Sequence, residues 1–329
     1  MKAYVFHKYG SPDVLRLEEF KKPAPKEDEV LVKVHAASVN ALDWHMLTAD
    51  IFLVRFMGGG LFKPKNIRLG ADVAGLVEAV GTNVTQFKPG DAVFGDVNPW
   101  NGGGFAEYVC VPAKAFVLMP TNLSYEEAAA VPIAGITALQ GLRDVGQVQP
   151  RQQVLINGAA GGVGTFAVQI AKYLGAEVTA VCSTRNLEQA HSLGAAHVID
   201  YTREDFTKSG QQYDLIFAIN GYHPLPAYKR ALKPDGRYVM AGGKFAQIFQ
   251  GMLQGSGKSK TNGKKLGSVS AKASQEDLVT LAVLLETGNL LSVIDKRYPF
   301  SQAPEAVRYL GSGHARAKVV IVMEDSSQS

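Results

Sequence analysis

Residues Gln153 to Gly175 read QVLINGAAGGVGTFAVQIAKYLG, and the class of fold is decided there. Gln153 to Asn157 form a short apolar strand. Gly158, Ala159, Ala160, Gly161, Gly162, Val163 and Gly164 follow as a glycine-rich turn, and a long amphipathic helix comes next. A dinucleotide site requires that order: glycines let the backbone approach a pyrophosphate, the helix N-terminus offers N–H groups and a favourable dipole to the anion, and a small residue lets helix pack on strand. Gly161 and Gly164 match the second and third glycines of the G-x-G-x-x-G pattern, with Ala159 in place of the first. A turn that merely packs a helix on a sheet would show similar letters, so the flanking elements decide between the two.

Downstream, strands and helices alternate through EVTAVC, LEQAHSLG, HVID, YDLIFAI, LPAYKRAL and GRYVMAG. This alternation implies parallel βαβ units with right-handed crossovers, hence an α/β unit with a doubly wound parallel sheet. The second strand ends in Val181, Cys182, Ser183, Thr184 and Arg185. NAD-selective sites place an acidic side chain about 20 residues past the loop to bind the ribose hydroxyls. This segment offers none. Two hydroxyls and a guanidinium suit a ribose 2′-phosphate, so NADPH is the expected cofactor. In the competing reading Ser183 or Thr184 caps a helix and Arg185 is solvated. Asn220 and Gly221, and Gly242 and Gly243, stand at strand C-terminal ends, where open α/β sheets bind ligands. They are expected to approach the ribose and nicotinamide, with ordinary turns as the alternative.

Upstream the texture differs. Residues 1–124 carry β-branched runs, EVLVKVHAASV, DVAGLVEAVG, DAVFGDV and GFAEYVCVP, broken by Gly, Pro and Asp, as in an all-β barrel-like unit. LSYEEAAAVPIAGITALQGL then reads as helix, opened by a Ser124 and Glu127 capping box. Gly251 to Gly267 is rich in Gly, Ser, Lys and Asn and reads as an exposed loop. The tail, with a helix QEDLVTLAVLLETG, a strand SVIDKRYPF, a helix QAPEAVRYLGSG and a strand KVVIV, is too short to fold alone and is expected to pack on the first domain.

At roughly 150 residues per domain, 329 residues suggest two domains. Hydrophobic residues at 46% and charged residues at 19% fit a folded chain. The balance of 34 basic against 30 acidic residues, +4, is too small for a general polyanion-binding surface, so no nucleic-acid partner is expected. Cys110 and Cys182 cannot make a four-thiolate zinc site, and a reducing compartment, the cytoplasm, is expected. The opening MKAYVFHKYG reads as strand and turn rather than as a secretion signal, and no apolar run reaches ~18 residues, so no membrane span is expected.

The order of parts resembles the medium-chain dehydrogenase/reductase superfamily, and more closely its zinc-free quinone oxidoreductase branch, over nearly the whole chain. The likeness rests on MKAYVFHKYG, ASVNALDW, LGADVAGLVEAVG, FKPGDAVFG, GGGFAEYV, AAAVPIAGITAL, NGAAGGVG and GHARAKVVI. CSTRN followed by SLGAAHVIDY is similar to the chloroplast-type quinone oxidoreductase-like and enone reductase proteins. The resemblance implies a Rossmann dinucleotide-binding domain over 125–270, and a GroES-like β-barrel catalytic domain over 1–124 completed by 271–329. It also implies a homodimer.

Zinc-dependent members carry a catalytic Cys in the region of ASVNALDW and a His-Glu pair in the next segment. This chain has Asn40 and Asp43 in the first and Ala71 with Asp72 in the second, so no metal is expected. By resemblance Asn40 and Asp43 line the active-site cleft, Thr137 faces the nicotinamide carboxamide, and Tyr201 lies by the adenosine ribose phosphate. Each has a structural alternative: Asn and Asp bond nearby backbone, a helical Thr back-bonds to a carbonyl, and a Tyr packs on a sheet rim. Arg316 and Lys318 lie in the late motif with Ala317 where the family often has Gly, and neither is given a cofactor role. The implied activity is NADPH-dependent hydride transfer to a small-molecule quinone or α,β-unsaturated carbonyl. A zinc-independent alcohol or carbonyl reductase and a non-catalytic NADPH-binding protein are the rival readings.

Overall fold

The computed structural model describes residues 1–50, 60–221, 223–242, 259–261 and 263–324. Gly243, and residues 251–258 and 262 of the Gly- and Lys-rich stretch, lie outside them. The chain divides into two compact units: Met1–Ile133 with Ala273–Thr287 and Ser292–Ser329, and Ala134–Lys272 with Gly288–Leu291.

The first unit opens with β1 (Lys2–Val5) and β2 (Arg16–Glu19), which pair antiparallel. The strands β3 (Glu29–Val39), β4 (Asp72–Val80), β5 (Ala92–Asp96), β6 (Tyr108–Pro112) and β7 (Phe116–Leu118) follow. Between β3 and β4 sits α1 (Ala41–Thr48). Val30, Val32 and Val34, two apart on β3, are all buried in the unit's core beside Phe6, Phe105 and Phe116, as the period of two requires of a strand. Ser124 and Glu127 form the expected capping box on α2 (Tyr125–Ala129). The Ala-rich segment is nevertheless not one helix. Proline disfavours α conformation in the residue before it, and the chain breaks ahead of Pro132 and restarts as α3 (Pro132–Gln140).

The second unit carries β8 (Gln153–Asn157), α4 (Gly162–Tyr173), β9 (Glu177–Cys182), α5 (Leu187–Ser192) and β10 (His197–Asp200). It continues through β11 (Tyr213–Ala218), α6 (Leu225–Arg230), β12 (Leu232–Met240), β13 (Ser259–Thr261) and β14 (Lys264–Ser268). The sheet runs β10-β9-β8-β11-β12-β14-β13. Every neighbouring pair is parallel except β13 with β14. Val154, Leu155 and Ile156 are fully buried in succession, the signature of a strand covered on both faces. The chain winds from β8 out to β10 on one side and from β11 out to β12 on the other, so the strand order reverses between β8 and β11. The expectation of a loop up to Gly267 is corrected by β13 and β14. Their polar composition hides a hairpin that the neighbouring strand β12 templates through β14.

The chain then returns to the first unit with α7 (Gln275–Glu286), β15 (Ile294–Pro299), α8 (Ala303–Gly311) and β16 (Lys318–Val322). The last strand inserts between β15 and β3, giving the order β15-β16-β3-β4-β5-β7 with β6 also on β3.

Candidate functional site

The glycine loop occupies the reversal point of the parallel sheet, where such sheets bind ligands beyond their strand C-termini. Gly158 ends β8 with φ +89°, and a Cβ there would lie 2.8 Å from the Asn220 nitrogen. The tight turn that the fingerprint assigns to its first glycine is therefore made by Gly158, one residue before Ala159. Gly164 lets α4 sit on the strand end, since a Cβ there would fall 2.2 Å from the Gly158 oxygen. Gly161 is different. It is the N-cap of α4 with ordinary extended dihedrals, φ −80° and ψ 174°, and a Cβ would meet only the Gly158 oxygen at 3.6 Å. Nothing in the fold requires glycine at 161. A pyrophosphate at the helix N-terminus would, and in this respect the loop fits a dinucleotide.

Around the loop a buried hydrogen-bond chain fixes the neighbouring strand end. Asn157, 4% exposed, donates through Nδ2 to the Tyr228 hydroxyl at 3.0 Å, and that hydroxyl donates to the Gly221 carbonyl at 3.1 Å. Asn220, which is exposed, accepts through its side-chain oxygen from the Gly221 N–H at 2.8 Å. Gly221 and Gly242 stand at the ends of β11 and β12 with φ +87° and +88°. Thr137, on α3, is partly exposed and belongs to the same unit.

At the end of β9, Ser183 caps a short turn, Thr184–Asn186, and Arg185 is exposed. Tyr201 is 61% exposed beyond β10, with its N–H on the Cys182 carbonyl at 3.1 Å. One expectation is corrected here. A carboxylate does reach this corner, because the parallel register sets Asp200 opposite Cys182. Its oxygens accept from the Thr184 hydroxyl and from the Thr202 N–H and hydroxyl, and those hydrogen bonds hold its pKa below the usual carboxylate range. Asp200 is 6% exposed and spent on the protein.

In the first unit Asn40 and Asp43 meet in one buried network with Ser38, Asp72 and Lys318, none of which the sequence assigned to the site. Asn40 donates through Nδ2 to Asp72 Oδ2 at 3.0 Å, and its Oδ1 accepts from Lys318 Nζ at 2.6 Å. Asp72 also accepts from the Ser38 hydroxyl at 2.7 Å and from the Ile133 N–H at 3.0 Å. Asp43 accepts from the N–H groups of Asn40 and Gly70, each at 2.8 Å. Burial pushes the Asp43 carboxyl up to about 6 and the Lys318 ammonium down from its ordinary value. Asn40 and Asp43 are 6% and 3% exposed, and their polar atoms are engaged by protein partners, so this geometry makes them organisers of the turn between β3 and α1. His45 pairs instead with Asp50 at 2.8 Å. Among the described residues no three His, Cys, Asp or Glu side chains come together to hold a metal ion, and the cation within this network is Lys318.

Two family models match the chain: the alcohol dehydrogenase GroES-like domain over residues 26–121, and the zinc-binding dehydrogenase family over 193–321. The mitochondrial NAD(P)H oxidoreductase RTN4IP1 of Bos taurus is 36% identical over 98% of this chain and 89% of its own length. The chain belongs to the medium-chain dehydrogenase/reductase superfamily. The 2-methylene-furan-3-one reductase of Solanum lycopersicum is 35% identical over 98% of this chain and 79% of its own length. The quinone oxidoreductase structure from Coxiella burnetii superposes with a TM-score of 0.85 at 29% identity, covering 98% and 99% of the two chains. Within the superfamily the chain falls in the zinc-independent, quinone/enone-oxidoreductase-like branch and is an NAD(P)H-linked oxidoreductase.

Proposed function

We propose that this oxidoreductase uses NADPH to reduce a quinone or an α,β-unsaturated carbonyl. The observation that carries the reading is Gly161, a helix N-cap whose missing side chain the fold itself does not explain. When bound, the nicotinamide supplies the hydride. The Gly158–Gly164 turn would hold the pyrophosphate with backbone N–H groups, and the Asn157–Tyr228–Gly221 chain keeps the adjoining strand end in place. In the first unit, the Lys318–Asn40–Asp72 network fixes the β3–α1 turn. Conjugated acceptors suit such a site, because the charge that follows hydride addition spreads to an oxygen that hydrogen-bond donors can stabilise. The names of the tomato reductase and the Coxiella structure support an enone and a quinone, respectively.

For the cofactor, Ser183 and the exposed Arg185 favour a 2′-phosphate, while Asp200, saturated by two threonines, is withdrawn from the ribose hydroxyls. Arg185→Ala should weaken NADPH binding by about 10- to 150-fold, the equivalent of a charged hydrogen bond of roughly 1.5 to 3 kcal/mol, and leave NADH binding nearly unchanged. Calorimetric titration of both nucleotides decides it. Equal losses for the two, or none, would remove the NADP assignment. A cytoplasmic homodimer, as the sequence suggests, is part of the same proposal.

A further inference from the structure

Ser183 and Thr184 look interchangeable in sequence, two hydroxyls beside one arginine, but the structure makes them opposites. A hydroxyl has one proton to give and lone pairs that accept. Thr184 gives its proton to Asp200, an ionised carboxylate that can only accept. Toward a ligand it can offer only lone pairs, which a phosphate oxygen repels. Ser183 stands the other way round. Its Oγ accepts from Asn186 Nδ2 at 3.1 Å, so its proton is left to point outward, and Ser183 is partly exposed.

Asn186 has no ordinary reason to be asparagine. It sits at the N-cap of α5, where its side chain would usually accept from the helix, yet it makes no such bond. It is 6% exposed, and its Oδ1 has no hydrogen-bond partner, an arrangement that costs stability. Its backbone N–H closes the turn on the Ser183 carbonyl at 2.8 Å, which holds the amide and the hydroxyl in register. What the side chain does accomplish is the bond to Ser183.

We propose that Asn186 is a positioning residue for the adenosine 2′-phosphate: its buried carboxamide occupies a lone pair of Ser183 and directs the Ser183 proton to a phosphate oxygen. This rests on the NADPH reading above. Asn186 touches no part of the nucleotide in this role and acts only through Ser183.

The test is a double-mutant cycle on the full chain, with NADPH and NADH affinities measured by calorimetry for Asn186→Ala, Ser183→Ala and the double variant. Each single variant should weaken NADPH by about tenfold, which corresponds to about 1.4 kcal/mol, with NADH altered less than about twofold on the same scale. The double variant should bind NADPH no more weakly than Ser183→Ala alone. Asn186→Asp, which keeps the shape but accepts the Ser183 proton, should lose at least as much NADPH affinity as Asn186→Ala, and it serves if the alanine variant does not fold. Additive losses in the double variant, equal losses for both nucleotides, or unchanged NADPH affinity in Asn186→Ala and Asn186→Asp would overturn the proposal. Arg185→Ala separates the two levels. If neither Arg185→Ala nor Ser183→Ala affects NADPH, the cofactor reading has failed as well. If both weaken NADPH and the Asn186 variants do not, only the role of Asn186 is lost.

Discussion

Of the four glycines around the first turn of α4, Gly158, Gly161 and Gly164 serve three different ends, and substitution separates them. Gly161→Val places a side chain in space that the protein leaves open, with no strained dihedral and no contact closer than 3.6 Å for its Cβ. We expect a variant that melts within a few degrees of the wild type and no longer binds NADPH measurably. Gly164→Val drives Cβ to within 2.2 Å of the Gly158 oxygen, so this variant should lose stability first. Thermal melting paired with nucleotide titration checks both, and normal NADPH affinity in a folded Gly161→Val protein would mean that the phosphate loop lies elsewhere. At this scale the sequence was partly legible. The second and third glycines stood in pattern, whereas the positive φ falls on Gly158, outside the expected spacing, because the turn begins one residue earlier. The partners of Asp200 and Lys318 were not legible, although Lys318 stood in the late family motif. Each reaches its partners from another strand, Asp200 by its register with Cys182 and Lys318 from β16 to Asn40 in the turn between β3 and α1, and no local pattern announces such a meeting.

Across the strands of the first unit, Ser38, Asp72 and Asp96 form one row, with Ser38 opposite Asp72 and Asp72 opposite Asp96. Carboxylates facing each other across a ladder repel. Burial, with Asp72 adding to it, pushes the Asp96 carboxyl up to about 7. A carboxyl raised in the folded state contributes stability while it is protonated, fully so below its unfolded pKa near 4, and that contribution is lost as pH rises through about 7. Asp96→Asn should therefore be nearly neutral below about pH 4 and stabilising above about pH 8, on the order of 4 kcal/mol at about 1.4 kcal/mol per unit of pKa shift. Asp43, raised to about 6, adds a loss of the same sign between those limits. Urea unfolding of wild type and variant at both ends of the range measures it, and a difference that does not grow with pH would place the Asp96 proton elsewhere. Strands such as β3 were readable from their alternating valines. The break before Pro132 was legible in principle, since proline constrains the residue before it, but an alanine-rich background masked it. The pairing of β13 and β14 was beyond reading, since their polar residues gain strand structure only from a neighbouring strand in the sheet.

For the whole molecule, the order of parts carries the family and its architecture, and the return of β16 between β15 and β3 shows why residues 318–322 cannot be treated as a tail. They complete the sheet and bring Lys318 to Asp72 and Asn40. Substrate identity was not legible, because no run of residues near the glycine loop describes an acceptor. The claim that the acceptor is a conjugated system and that the hydride goes to its carbon chain rather than to its carbonyl is open to one direct measurement. NADPH carrying deuterium in both positions at nicotinamide C4 is incubated with the protein and an α,β-unsaturated ketone in the presence of a metal chelator, and the product is analysed by mass spectrometry and NMR. The expected product is the saturated ketone with a single deuterium on the carbon β to the carbonyl. Deuterium on the carbonyl carbon of an unsaturated alcohol, or no turnover of either the ketone or a quinone despite tight NADPH binding, would contradict it.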